Sequence, residues 1–360
     1  MVSDKINPDS KVQSTQGWRQ IIEHLKTWPW KAMGIRVGKI LCIITVVIFT
    51  LYLWGMIFYN GPFQQAGLWN TLLACVWAGL VVYLYRWKIG WKKRVPAVAL
   101  AAMIVVLPYS FIQPSNDREW TQDVKEYGHS VVEGDRVTIH NVRNFDYTED
   151  GEAMERWEIR TVHLSNLRGL DLYHDTFMGD VMGHPILSFD FGPDGRVCLS
   201  VETRKEQGES FSPVGGLYKI LELYYLFSTE EDCIRVRTNI KKEPVYLYQI
   251  DSPISEIREM FMTSVNVQNE LNRHPRFYNV ISANCTTSLR SQRPTDKRGD
   301  WDNRILFNGL LDEYLYEQNR LKTYGLSFDE LRQRSLINEA AEKAHCVADF
   351  SKKIREGRPN

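Results

Sequence analysis

The 360-residue sequence has no surplus of charge of either sign, with 44 Lys and Arg set against 44 Asp and Glu. It therefore lacks the basic excess that nucleic-acid binding needs, and no nucleic-acid partner is expected. No Cys-x-x-Cys spacing occurs, which removes the usual frame for a structural zinc site. His140, His163, His174 and His184 include no helical pair four residues apart and fit no ligand pattern. Gly215-Gly216 is too short to cradle a phosphate. No metal and no cofactor are expected. Internal repeats and low-complexity tracts are lacking, as is a cleavage pattern after the first apolar run, which is therefore read as a retained anchor and not a signal peptide.

Long apolar runs, by contrast, are plentiful. Ile40 to Tyr59 and Ala66 to Tyr85 carry no charge over about twenty residues each, and Val95 to Ile112 none over about eighteen. Each is long enough to cross a hydrocarbon core about 30 Å thick. Basic residues crowd the leader (Lys5, Lys11, Arg19, Lys26, Lys31, Arg36, Lys39) and the second connection (Arg86, Lys88, Lys92, Lys93, Arg94), while the first connection, 60–65, has none. By the positive-inside rule the amino-terminus is cytoplasmic, and three crossings put everything after Gln113 outside. In a bacterial inner membrane that side is the periplasm. The expected organisation is a cytoplasmic segment (1–39), three transmembrane helices (40–112), a periplasmic α+β catalytic domain (113–292) and a helical carboxy-terminal extension (293–360). Trp18 to Met33, with three tryptophans among basic residues, could lie along the inner interface or form an ordinary short helix.

Cys42 and Cys75 fall in the spans, leaving Cys198, Cys233, Cys285 and Cys346 outside. Cys198 and Cys233 suit either a disulfide or two small buried core residues.

Strands are expected at Arg136 to Val142, Trp157 to Leu164 and Gly169 to His174, followed by a hairpin in which Ile186 to Phe191 and Val197 to Thr203 flank Gly192-Pro193-Asp194-Gly195. Its register follows from alternation, because Leu187, Phe189 and Phe191 should share a face with Val197, Leu199 and Val201. Phe189 then opposes Val197, Ser188 opposes Cys198 and Ile186 opposes Ser200, which brings His184 against Glu202. Further on, a helix is expected at Leu217 to Phe227, strands at Cys233 to Thr238 and Val245 to Ile250, and a helix from Ser252-Pro253 to about Arg273. After Pro275, Asn284 should cap a helix whose first residue is Cys285.

A cysteine there can be activated, because a helix start favours negative charge and a nearby imidazole can take the proton. The reading is Cys285 as nucleophile, His184 as base and Glu202 as the group that orients the imidazole. Backbone N–H groups beside the sulfur, at Asn284 and Thr286, would hold an oxyanion. Asp190 competes for the third role. The run Glu230-Glu231-Asp232 reads as a solvated turn, and Arg235, Arg237, Tyr246 and Tyr248 as an alternating set that lines a polar cleft or an exposed sheet face.

The strings His184-Pro185-Ile186-Leu187-Ser188-Phe189-Asp190-Phe191, Val201-Glu202-Thr203-Arg204, Glu231-Asp232-Cys233-Ile234-Arg235-Val236-Arg237-Thr238, Val245-Tyr246-Leu247-Tyr248, Tyr278-Asn279 and Asn284-Cys285-Thr286-Thr287 occur in that order. Together, over about Asp117 to Gln292, they resemble the Lnb amino-terminal periplasmic domain family. The resemblance implies a permuted papain-like thiol enzyme, and the Asn-Cys helix start is also similar to lecithin:retinol acyltransferases and NlpC-type hydrolases. It implies transfer of an acyl chain from a membrane phospholipid, through a Cys285 thioester, to the amino-terminus of a lipoprotein or another amine. Arg235, Tyr246 and Tyr278 are the expected substrate contacts of such a site. A cell-wall cysteine peptidase or amidase, and a non-catalytic membrane-anchored binding module, are the alternatives. One departure stands out: the family's acyltransferases place the catalytic domain before their membrane segments, and here three spans precede it.

Overall fold

The computed structural model describes residues 30–63, 65–87, 90–148, 150–293, 298–345, 347 and 349–358. The chain divides into two compact units that meet between Ser110 and Phe111. The first holds α1 (Trp30–Asn60), α2 (Leu68–Arg86) and α3 (Trp91–Ser110). All three are long and apolar enough to cross a membrane, with mean hydropathies of 2.5, 1.6 and 1.4 over their candidate spans. Most of their large apolar side chains face outward, as lipid-facing helices require. Two polar side chains within the bundle find partners inside it: Trp77 Nε1 donates to Ala101 O at 2.9 Å, and Asn70 Oδ1 accepts from Phe63 N at 3.1 Å. The interfacial segment expected from Trp18 lies outside the described residues, apart from its last few, which begin α1. Cys346 lies outside them too.

The second unit, Phe111–Asn360, is a mixed α+β domain around one eight-stranded sheet. Its strands are β1 (His129–Glu133), β2 (Arg136–Arg143), β5 (Trp157–His163), β6 (Gly169–Thr176), β7 (Gly183–Asp190), β8 (Arg196–Arg204), β9 (Glu222–Ser228) and β10 (Val245–Gln249), and β3 (Asp146–Tyr147) with β4 (Ala153–Met154) makes a separate small hairpin. The order is β1-β2-β9-β8-β7-β6-β10, with β5 on β2; only the β2 to β9 pairing is parallel. The β7–β8 register is the one alternation predicts: Ile186 opposite Ser200, Ser188 opposite Cys198, Phe189 opposite Val197. Gly192 and Gly195 sit at φ 54° and 84°, where a side chain would be strained, and close the turn.

One face of the sheet is covered by α5 (Ile254–Arg273), whose Phe261 ring lies 5.1, 4.9 and 6.0 Å from those of Phe189, Phe191 and Phe227. The other is covered by α4 (Glu230–Arg235) and by carboxy-terminal helices: Tyr173, Ile186 and Cys198 pack with Ile234, Ile337, Ala341, Phe350 and Ile354. The helical extension comprises α7 (Leu311–Glu317), α8 (Phe328–Ser335), α9 (Asn338–Lys343) and α10 (Phe350–Lys353); its last two helices share this core, while Leu311 and Tyr314 of α7 make a separate cluster with Ile305. Cys198 and Cys233 are buried free thiols in this cluster; burial, together with the Cys233 thiol, pushes Cys198 well above the ordinary thiol range.

Three expectations are overturned. Leu217 to Phe227 forms no helix: its second half is β9, central in the sheet and buried on both faces, so the alternation that marks a strand is erased. Cys233 to Thr238 forms no strand. Thr229 Oγ1 accepts from Asp232 N and starts α4, three acidic residues fill its first turn, and a π-helical turn (Val236–Ile240) follows. Finally, the acidic run is not solvated. Asp232 is fully buried and accepts from Arg143 Nε, Phe145 N and Tyr147 OH, while Glu230 accepts from Tyr173 OH, Ser188 and Arg355.

Candidate active site

At one end of the sheet the start of β7 and the end of β8 place His184 and Glu202 side by side, and α6 (Cys285–Ser291) begins over them. The helix start is fixed by a capping box: Asn284 Oδ1 accepts from Thr287 N at 2.7 Å, and Thr287 Oγ1 accepts from Asn284 N at 2.9 Å. One N–H of the Asn284 amide is spent on Val280 O, so this side chain positions the sulfur through the helix start. The N–H groups of Cys285 and Thr286, first and second in the helix, have no carbonyl to reach within it.

His184 Nε2 lies 2.7 Å from Ser200 Oγ and 3.3 Å from Glu202 Oε1. Ser200 Oγ donates to the same Glu202 oxygen at 2.6 Å, so it must accept from the imidazole, which fixes the proton on Nε2. The ring's other nitrogen is left for Cys285, which lines the same cleft. Burial alone would depress the imidazole, but the Glu202 carboxylate and the hydrogen bonds to Cys285 and Glu202 outweigh it, even against the charge of Arg237, and hold His184 at about 9. Burial likewise favours the neutral thiol at Cys285, yet the hydrogen bond and charge of His184, with help from Thr286, bring it below the ordinary thiol range. Both shifts favour a thiolate–imidazolium pair. Glu202 is held well below the carboxylate range against the effect of burial, by His184, Arg237 and Ser200.

Arg237, on the π-helical turn, donates to Glu202 at 2.9 Å and to Asp175, and so fixes the orienting carboxylate from behind. Asp190 is excluded from that role, because it caps the hairpin turn at Gly192 N and pairs with Arg196 at 2.8 Å. Of the tentative substrate contacts, Tyr278 lines the cleft, and burial followed by the Cys285 charge pushes its hydroxyl up. The other two lie elsewhere. Arg235 is buried against Glu231 O, His345 O and Asp146, and Tyr246 stacks under Arg332 of α8 at 4.9 Å. Arg235 stands on a helix where the sequence predicts a strand, and Tyr246 stands on β10 at the far end of the sheet order from β2.

Asn308, far along the chain, completes the site. Its Nδ2 donates to Cys285 Sγ at 3.3 Å and to Thr286 Oγ1 at 2.8 Å, while its Oδ1 accepts from Gly183 N at 3.0 Å. Its carbonyl accepts from His174 Nε2 at 2.9 Å, and the far side of that ring faces Asp312 at 3.3 Å. Nothing in the sequence singles this asparagine out beyond the turn-forming pair Asn308-Gly309. Ser200 was legible in principle, since it lies two residues before Glu202 on the same face. The cleft encloses about 190 Å³, and its walls join these polar groups to Phe177, Met182, Val201, Phe211, Val280 and Leu306. A second cavity of about 150 Å³, between Leu170, Leu187, Ile257 and Leu311, reaches Thr286 but not the sulfur.

Residues 153–297 match the Lnb N-terminal periplasmic domain. The Lnb match thus holds His184, Glu202, Arg237 and Cys285, and it ends before Asn308. No curated protein and no solved structure matches the chain. With three helices of membrane-spanning length, an Lnb-type domain points to a membrane-associated periplasmic protein.

Proposed function

We propose that the protein is a membrane-anchored thiol acyltransferase that loads an acyl chain from a phospholipid onto Cys285 and passes it to an amine, such as the amino-terminus of a lipoprotein. It would sit as a multi-pass protein of the inner membrane with its amino-terminus inside, as the distribution of Lys and Arg supports. The order of parts, with the histidine strand before the cysteine helix, supports a permuted papain-like arrangement. The observation that carries the reading is the Cys285–His184–Glu202 constellation, poised as an ion pair in a half-apolar cleft of a chain rich in membrane-length helices.

In the first step the thiolate attacks the ester carbonyl. A C–S bond forms, the C–O bond to the glycerol breaks, and the leaving alkoxide takes the proton from the His184 imidazolium. In the second, the amine attacks the thioester while neutral His184 accepts its proton; the C–N bond forms, the C–S bond breaks, and the ion pair is restored. Glu202 and Ser200 keep the imidazole aimed in both steps. The Cys285 N–H, together with the Asn308 Nδ2 hydrogen that now rests on the sulfur, would donate to the oxygen that becomes negative.

Intact mass tests this directly. Wild-type protein incubated with phospholipid should gain one acyl group that hydroxylamine removes, and Cys285→Ala should gain none. Cell-wall peptide release with no mass gain would instead establish the hydrolase. Asn308→Ala should slow thioester formation by about 10²-fold. Alkylation by iodoacetamide, a displacement that develops no oxyanion, should change far less. Equal losses in the two rates would assign Asn308 to packing alone.

A further inference from the structure

The rim of the Cys285 cleft is apolar on its outer side as well as its inner. Four loops contribute to it, and three of them repeat one pattern: a residue that lines the cleft stands beside one that points to solvent. Phe177 and Met182 line the cleft while Met178 and Val181 between them face out; Val280 is followed by outward Ile281, and Leu306 by outward Phe307. In the fourth loop Phe211 lines the cleft and Val214, three residues on, faces out. All five outward side chains are more than half exposed. Scattered apolar residues on a surface need no explanation, but a ring of them around one opening does.

A sixth member comes from the first residue of the globular unit. Phe111 is 77% exposed and follows directly on the apolar helix that ends at Ser110. The residues after it are bound to the same edge: Lys219 Nζ donates to Ile112 O at 3.0 Å, and Glu222 Oε1 accepts from Ser115 N at 3.3 Å. That 216–222 segment in turn pairs with the strand leading to Ile281, through Val280 N to Gly216 O and Tyr278 N to Leu221 O. The first residues of the globular unit therefore lie along the collar's own edge. Asp180, the acidic residue within the first loop, is turned toward Arg332 at 3.8 Å.

We propose that this collar of Phe111, Met178, Val181, Val214, Ile281 and Phe307 is a lipid-docking surface that presses the mouth of the Cys285 cleft onto the bilayer. Shallow insertion of apolar side chains below the headgroups is the behaviour of interfacial proteins, and here it would let an acyl ester reach the sulfur without crossing water. The surface stands apart from the acyl-transfer reading, since a lipid-facing mouth would serve any reaction on a membrane-held substrate.

The test uses the full chain in nanodiscs of phosphatidylethanolamine and phosphatidylglycerol, with photoreactive benzoylphenylalanine in place of Ile281 or of Phe307, and as a control in place of exposed Glu339 on α9. Iodoacetamide labelling of Cys285 at the wild-type rate certifies each protein as folded. Illumination should give phospholipid adducts at 281 and 307 at least tenfold above those at 339. Adducts at the control level, or cross-links to a second protein chain in their place, would overturn the collar. Adducts in a protein that never forms a thioester would sink acyl transfer and leave the collar standing, and the reverse pattern would do the opposite.

Discussion

His184→Ala is expected to cut alkylation of Cys285 by iodoacetamide at pH 6 by tens of fold. Without the imidazolium the thiol loses the partner that lowers it, and burial pushes it the other way. A free thiol with a pKa of about 8.5 is about 0.3% ionised at pH 6, so the loss of thiolate alone is worth up to about 300-fold. A more basic thiolate is also a better nucleophile, which returns part of that factor. Acyl transfer should fall much further, by about 10⁴-fold, because proton transfer is lost in both steps. The pH profile gives the sign. Cys285 is lowered and His184 raised to about 9, so the ion pair exists between the two. Acyl transfer should rise as the thiol ionises and decline as the imidazolium loses its proton near pH 9. Alkylation needs only the thiolate and should stay on its plateau there. An acyl-transfer rate still climbing above pH 10 would refute the general-acid role.

The largest structural effect is expected from Asp232→Ala. This carboxylate holds Arg143 through bonds of 2.8 and 3.0 Å, the amide of Phe145 at 2.9 Å and the hydroxyl of Tyr147 at 2.7 Å, all out of water. Removing it strands a buried guanidinium, a change that costs about 3–5 kcal/mol. For a unit of this size that corresponds to a fall in Tm of about 6–20 °C. Thermal unfolding of the full chain in detergent measures it, and a fall of less than 2 °C would show that water reaches Arg143. The replacement lies on the far end of α4 from Arg237, so alkylation of Cys285 below the transition should be nearly unchanged.

How far the sequence reveals this site depends on which interactions are local. The β7–β8 register follows from alternation and a turn, both read within twenty residues, and it delivers His184 to Glu202. The cap at Asn284 is a four-residue signal and was equally readable. Between 217 and 238 the same rules fail, because β9 is buried on both faces and the alternating arginines after it lie on a helix and a π-helical turn. Tertiary burial there overrides local pattern. Asn308 was beyond reach for a different reason: its partners, at Gly183 and Cys285, come from separate stretches of chain, and no local spacing encodes such a meeting.

The carboxy-terminal helices bear on how this protein can be cut. A fragment that stopped at residue 297, where the family match ends, would keep Cys285, His184 and Glu202. It would also strip Ile337, Ala341, Phe350 and Ile354 from the sheet and bare Ile186 and Cys198, on the strands that carry His184 and Glu202. A piece able to fold as this domain does therefore runs on to about Arg358, and a nascent chain cannot close the core beneath His184 and Glu202 until residues about 150 positions further on have been made.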